Sequence, residues 1–166
     1  MSAIPKVDAD IVNEQYLTFR IAGERFGLAL SKTREVIEYG KVTTVPLMPD
    51  FLCGVINLRG EVVPIIDLAI RLGRKPIEIQ RRTCIVIIEV ISEEQKITLG
   101  LLADAVDEVT EFSSQDIEDA PSFGARIRAE FIFGIAKSDG DFVVLLDAEK
   151  TLSVSELSAL VEAEFE

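Results

Sequence analysis

The sequence predicts a mostly β protein made of two small barrels packed together, and three observations lead there. The first is an internal repeat: residues 51–67 align without a gap against residues 131–147. Gly54, Gly60, Val63 and Asp67 fall opposite Gly134, Gly140, Val143 and Asp147. Each copy reads as an apolar strand, a glycine turn, a second apolar strand and an aspartate. The second is the spacing of short apolar segments, broken by glycine and proline, which favours barrels over a sandwich of long strands. The third is size: 166 residues, 48% apolar, suffice for one domain or two mutually packed lobes. The lobes are expected at about 14–82 and 83–152.

The elements follow in order along the chain. Residues 1–13 are polar and unpatterned, a loose tail. Residues 15–21 alternate apolar and polar as a half-buried strand does, Gly23 turns the chain, and residues 25–30 return. Ser31 is expected to cap a short helix over 32–37, and a strand over 41–45 is expected to stop at Pro46. The hairpin around Arg59 comes next. In the second half, residues 83–90 and 96–102 form a hairpin across the polar turn 92–95. There Leu99-Gly100-Leu101 answers Phe26-Gly27-Leu28. Val106 and Val109 follow, and a polar connection runs from Ser113 to Pro121. Asp67 and Asp147 each precede a short helical stretch, 68–71 and 148–150, and are read as its N-caps. Leu157, Leu160 and Val161 lie near helical spacing, so residues 153–166 are expected to form a terminal helix.

Composition excludes several kinds of chemistry. A net charge of −12 opposes binding to nucleic acid, whose affinity comes from cations displacing counterions. The chain has no histidine and two cysteines, Cys53 and Cys84, so it lacks the commonest general base and nearly all material for a zinc site. The cysteines sit in apolar strand patterns, as small buried hydrophobes. The acidic run from Asp104 to Asp119 lacks the alternation of a calcium loop. No phosphate-cradling glycine loop or nucleophile elbow appears. No enzyme activity, cofactor or metal is therefore expected. The chain shows neither a membrane-length apolar stretch nor the pattern of a signal peptide, so a cytoplasmic protein without direct membrane insertion is expected.

The repeat also marks where its copies differ. Asn57-Leu58-Arg59-Gly60 in the first stands against Lys137-Ser138-Asp139-Gly140 in the second. An arginine on a tight turn can present its fork to a carboxylate. Glu35 is the expected intramolecular partner, and such an ion pair would also preorganise the guanidinium for a protein partner.

These residues resemble the signature of the CheW family of bacterial chemotaxis adaptors. Gly54-Val-Ile-Asn57-Leu58-Arg59-Gly60, then Val63-Pro64 and Asp67-Leu68, carry the likeness, which extends from about Gln15 to Leu152. The resemblance implies two five-stranded SH3-like barrels with no catalytic activity. It implies coupling of methyl-accepting chemotaxis receptors, through their cytoplasmic hairpin tip, to the regulatory domain of the histidine kinase CheA. The protein would be recruited to membrane-associated receptor arrays. The matching receptor-binding positions are Arg59, Asn57, Gly54, Gly100, Val106 and Val109; the kinase-binding ones are Thr33, Glu35, Cys53, Val62 and Phe123. The competing reading is a small-molecule-binding module or minor enzyme using the groove between barrels. A deep enclosed pocket with perturbed acids would mark it.

Overall fold

Two-residue hairpin turns set the first level of the architecture in this computed structural model, which describes residues 12–92, 94–119 and 131–150. At Ala22-Gly23, Arg59-Gly60 and Asp139-Gly140 both central residues have positive φ, between 48° and 88°. That is the type I′ geometry, whose twist matches that of the flanking strands. The hairpins are β1 (Asn13–Ile21) with β2 (Glu24–Ala29), β4 (Leu52–Leu58) with β5 (Glu61–Asp67), β6 (Cys84–Ser92) with β7 (Gln95–Ala103), and β10 (Ile132–Ser138) with β11 (Asp141–Leu146). The remaining strands are β3 (Thr33–Glu38), β8 (Ala105–Ser113) and the two-residue β9 (Ile117–Glu118); helix α1 spans Leu68–Arg71. Phe123, the expected terminal helix over 153–166 and residues 1–11 of the expected tail lie outside the described residues. Among the described residues no helix is long and apolar enough to cross a membrane.

The strands assemble into two sheets, β8-β1-β2-β11-β10-β9 and β3-β6-β7-β5-β4. With β1 matched to β6, β2 to β7, β3 to β8, β4 to β10 and β5 to β11, both sheets have the same order. Each sheet takes its leading hairpin from one copy of the repeat and its other strands from the other copy. The exchange is sealed by two parallel contacts, Gly27 beside Leu145 and Ile65 beside Gly100. Even the bulges repeat, between Leu52 and Gly54 and between Ile132 and Gly134. The division at 82/83 expected from sequence is therefore not the division of the sheets: residues 33–103 build one, and residues 13–29 with 105–146 build the other.

Two local expectations are corrected. Residues 32–37 are not a helix: a 3₁₀ turn, Leu30–Lys32, leads into β3, whose burial alternates residue by residue. The β-branched Thr33, Val36 and Ile37 suit a pleated strand, and Glu35 and Ile37 turn towards one face, Arg34 and Val36 towards the other. The strand expected over 41–45 shrinks to one bridge, Thr43 to Val55. Its counterpart in the other sheet is β9, where Glu118 pairs with Ile135 as a short sixth strand. Both aspartate caps are present. Asp67 accepts from the amides of Ala69 at 3.0 Å and Ile70 at 3.3 Å. Asp147 accepts from Glu149 at 3.0 Å and Lys150 at 3.2 Å, closing a turn instead of the expected helix.

Packing explains why the apolar runs are continuous. Ile85 and Ile87 of β6 join Ile56, Val63, Ile65 and Leu102 inside one barrel, while Val86 and Ile88 face the layer between the barrels. A strand covered on both sides has no polar face to alternate with. The other barrel is filled by Tyr16, Phe112, Ala136, Val143 and Leu145. The layer between holds the bulkiest core, with Phe19, Phe26, Leu28, Phe131, Leu99 and Leu101 among its members. Only one barrel, residues 33–103, is a contiguous stretch of chain, neither barrel holds most of the core, and residues 14–82 contain neither sheet whole. Residues 14–82 expressed alone are accordingly expected to be unfolded; a dispersed amide NMR spectrum from that fragment would contradict the exchange of strands.

Candidate protein-docking site

Arg59 occupies the first central position of its type I′ turn with φ 51°. An L-residue with a Cβ pays sterically there, as Ala22 does in the first hairpin, and Asn, Asp or Gly is the usual occupant. The matching residue of the other hairpin, Asp139, is of the usual type. Asn57 braces the turn: its Oδ1 accepts from the amide of Gly60 at 2.7 Å. A long cation kept on a left-handed backbone points to use of the side chain rather than of the turn.

The guanidinium meets the carboxylate expected of it. Arg59 Nη1 donates to Glu35 Oε1 at 3.3 Å, and Nη2 donates to Oε2, a two-armed fork. Glu35 stands on β3, not on a helix, and β3 and β4 are the opposite edges of one sheet. The pair therefore spans the edges as the barrel closes. It stays solvated, with the arginine side chain 63% exposed and the glutamate 30%. The hydrogen bond from Arg59 holds the Glu35 carboxyl below its ordinary 4.5, and the same bond raises Arg59. A lowered carboxylate pKa means the pair contributes at neutral pH and is lost only as pH falls through that lowered value. Glu35 thus serves as a fixed anion and not as a proton donor at neutral pH.

Two aliphatic side chains of the same sheet are exposed, one of them on the opposite face of β3 from Glu35. Val36 is 41% exposed, and Val62, paired with Asn57 across β4–β5, is 52% exposed. Thr33 is half-buried, its hydroxyl donating to the Ala29 carbonyl at 3.3 Å. Cys53 is half-buried too, and burial pushes its thiol up to about 12, so it acts as an apolar side chain. The positions expected from sequence to meet a receptor are more scattered. Val109 is exposed on β8, and Val106 packs at the edge of the layer between the barrels. Gly54 and Gly100 are buried, so they act through what they allow to approach, Thr43 over Gly54 and Ile65 beside Gly100. Among the described residues no three of His, Cys, Asp and Glu are grouped to hold a metal ion.

The repeat puts a contrasting surface on the other barrel. Glu35 lies opposite Ile87 just past a bulge, and Glu108 lies opposite Thr18 just past another. By the same correspondence Val109 answers Val36, Phe142 answers Val62, Phe133 answers Cys53, and Asp139 answers Arg59. The positions of the ion pair on one barrel hold two acids on the other, which also carries two aromatics exposed by 53% and 60%. Val36, Phe133 and Phe142 were not singled out from sequence. The gapless repeat alignment already sets the two phenylalanines opposite Cys53 and Val62, whereas Val36 lies outside it.

Comparison with known proteins agrees with this geometry. Residues 15–156 match the CheW-like domain. The chemotaxis protein CheW of Klebsiella aerogenes is 30% identical over 162 residues, covering 98% of this chain and 95% of that protein. The probable chemotaxis protein CheW of Rhizobium etli is 33% identical over 147 residues, covering 89% of this chain and 92% of that protein. The crystal structure of the scaffolding protein TtCheW from Thermoanaerobacter tengcongensis superposes with a TM-score of 0.76 at 31% identity, over 87% of this chain and 96% of that one. The family match takes in both sheets, apart from the first two residues of β1, and the Glu35–Arg59 pair, and the chain is a member of the CheW-like family.

Proposed function

We propose that this chain is a non-catalytic chemotaxis adaptor that couples methyl-accepting chemoreceptors to the histidine kinase CheA. The observation that carries the reading is Arg59, an exposed guanidinium kept on an unfavourable backbone and aimed by Glu35. A preorganised fork of this kind is suited to recognising a carboxylate on a helical partner. The kinase regulatory domain meets the face formed by Thr33, Glu35, Cys53 and Val62, with Val36 alongside and Phe123 as a further contact. The receptor hairpin tip meets Arg59, Asn57, Val106 and Val109, with Gly54 and Gly100 shaping the barrel beneath. On this reading the ion pair joins a residue of the receptor contact to one of the kinase contact. Occupation of Arg59 by a receptor carboxylate then changes the anion that the kinase meets at Glu35, which is a physical route for coupling. The protein works in the cytoplasm and reaches the membrane-associated array through its partners.

Calorimetric titration of the full chain with the regulatory domain of CheA from the same organism tests the kinase half. Saturable binding is expected, weakened about tenfold by Val62→Asp, since a charge in the apolar centre of a docking face costs on the order of 1–2 kcal/mol. A flat titration with both proteins folded, or a Val62→Asp chain that binds as before, would overturn this assignment of the face.

A further inference from the structure

A second surface lies apart from all of these residues. An open cleft of about 620 Å³ is walled on one side by the β1–β2 turn and on the other by the connection from α1 to β6. That volume is within the range of ligand-binding clefts. Its lining carries four cations, Arg20, Arg74, Lys75 and Arg82, against two acids, Glu78 and Asp104, in a chain whose net charge is −12. Counting Asp107 and Glu24, which pair with two of these cations, the cleft is close to neutral where the chain as a whole is strongly acidic.

The cations fall into two kinds. Arg20 is tied to Asp107 at 3.2 Å and Arg74 to Glu24 at 2.6 Å, which fixes their side chains along the walls. Among the described residues Lys75 and Arg82 have no ion-pair partner, and both are exposed. Asp104 is already engaged, its Oδ2 accepting from the amide of Ala22 at 2.7 Å, so it pins the turn and opposes an incoming anion less than a free carboxylate would. Ala69, Ile77 and Ala105 add apolar lining between the charged walls.

We infer that this cleft binds an acidic, extended peptide segment of a protein partner. Two unpaired cations on the connection from α1 to β6, with apolar surface between them and the paired Arg20 of the other wall, fit a strand of chain that carries carboxylates and small apolar side chains. A mononucleotide fits less well, because the lining offers neither a glycine-rich loop nor converging backbone amides to hold phosphate. The cleft shares no residue with the positions assigned to receptor or kinase, so it does not rest on that assignment.

The test is fluorescence anisotropy of the full chain with a labelled dodecapeptide of Glu-Glu-Leu repeats, beside its Gln-Gln-Leu counterpart. Salt-sensitive, saturable binding of the acidic peptide alone is expected. The double variant Lys75→Glu, Arg82→Glu should weaken it at least about tenfold, since both side chains are solvated and unpaired and their reversal leaves the fold intact. Lys41→Glu, outside the cleft, should leave it unchanged. The inference is overturned if the acidic peptide fails to bind, if the double variant binds it equally, or if ATP displaces it at lower concentration than unlabelled peptide does. The last result would assign the cleft to a small polyanion.

Discussion

Gly54→Ala is expected to lower stability by roughly 3–4 kcal/mol, the largest effect of any single methyl added to the described glycines. At that position φ is +150°, a region that side chains rarely enter, and an added Cβ would lie 2.2 Å from the Thr43 carbonyl oxygen and 2.8 Å from its carbon. The obstacle is backbone, held by the reciprocal bonds between Thr43 and Val55, both 2.8 Å. Rotating a side chain cannot relieve it. Gly100→Ala meets the Ile65 and Ile85 side chains at 2.5 and 2.7 Å instead, and these can repack. Gly134, the match of Gly54 on the other barrel, would meet Ile117 Cγ2 at 2.5 Å and the Glu118 carbonyl at 3.0 Å, without an unfavourable φ. The expected order of loss is therefore Gly54, then Gly134 and Gly100. For a chain of this length, about 3 kcal/mol corresponds to a fall in melting temperature of roughly 10 °C, easily read by thermal denaturation. A Gly54→Ala protein melting with the parent would mean that residues 42–43 do not cross over the bulge of β4. The ordering also separates folding from docking: receptor coupling lost at Gly54 or Gly100 together with stability reports packing, not contact.

The hairpins were legible in the sequence because the information that makes them is local. Glycine at the second turn position, alternating or continuous apolar residues and a closing aspartate specify β4–β5 and β10–β11 within seventeen residues each, and the structure repeats even their bulges. The exchange of strands was not legible, because the choice between Gly27 beside Leu145 and Gly27 beside the first copy's own Ile65 is made by long-range packing. Both strands have the same pattern. The segment 32–37 misled for a related reason. Its charges at Arg34, Glu35 and Glu38 resemble a solvated helix face, whereas its β-branched residues decide for a strand once β6 is there to pair with it. The Glu35–Arg59 pair survived that error because reach and charge, not secondary structure, made it plausible. Cys53 and Val62 are where a two-residue period places them, one half-buried and one outward. The exposed phenylalanines were visible as letters but not as surface, since a phenylalanine inside an apolar run looks like core.

Arg59→Asn is expected to leave the melting temperature unchanged or to raise it, while weakening receptor coupling at least about tenfold. Asparagine is at home at positive φ, so the turn gains what the lost ion pair gives up, and the bond from Asn57 Oδ1 to the Gly60 amide is untouched. Stability and function should move apart, which a residue kept for folding would not allow. The readouts are a thermal melt and receptor-dependent stimulation of CheA with the full chain. A destabilised Arg59→Asn protein would mean that the guanidinium chiefly holds the two edges of the barrel together, and a stable one with normal coupling would remove Arg59 from the recognition surface. The exchange variant Glu35→Arg, Arg59→Glu divides the roles further. Its ion pair can reform across β3 and the turn, so folding should be kept, yet the fork now faces from the wrong strand. If coupling stays low in that variant, what the partner reads is the position of the cation and not merely the presence of the pair.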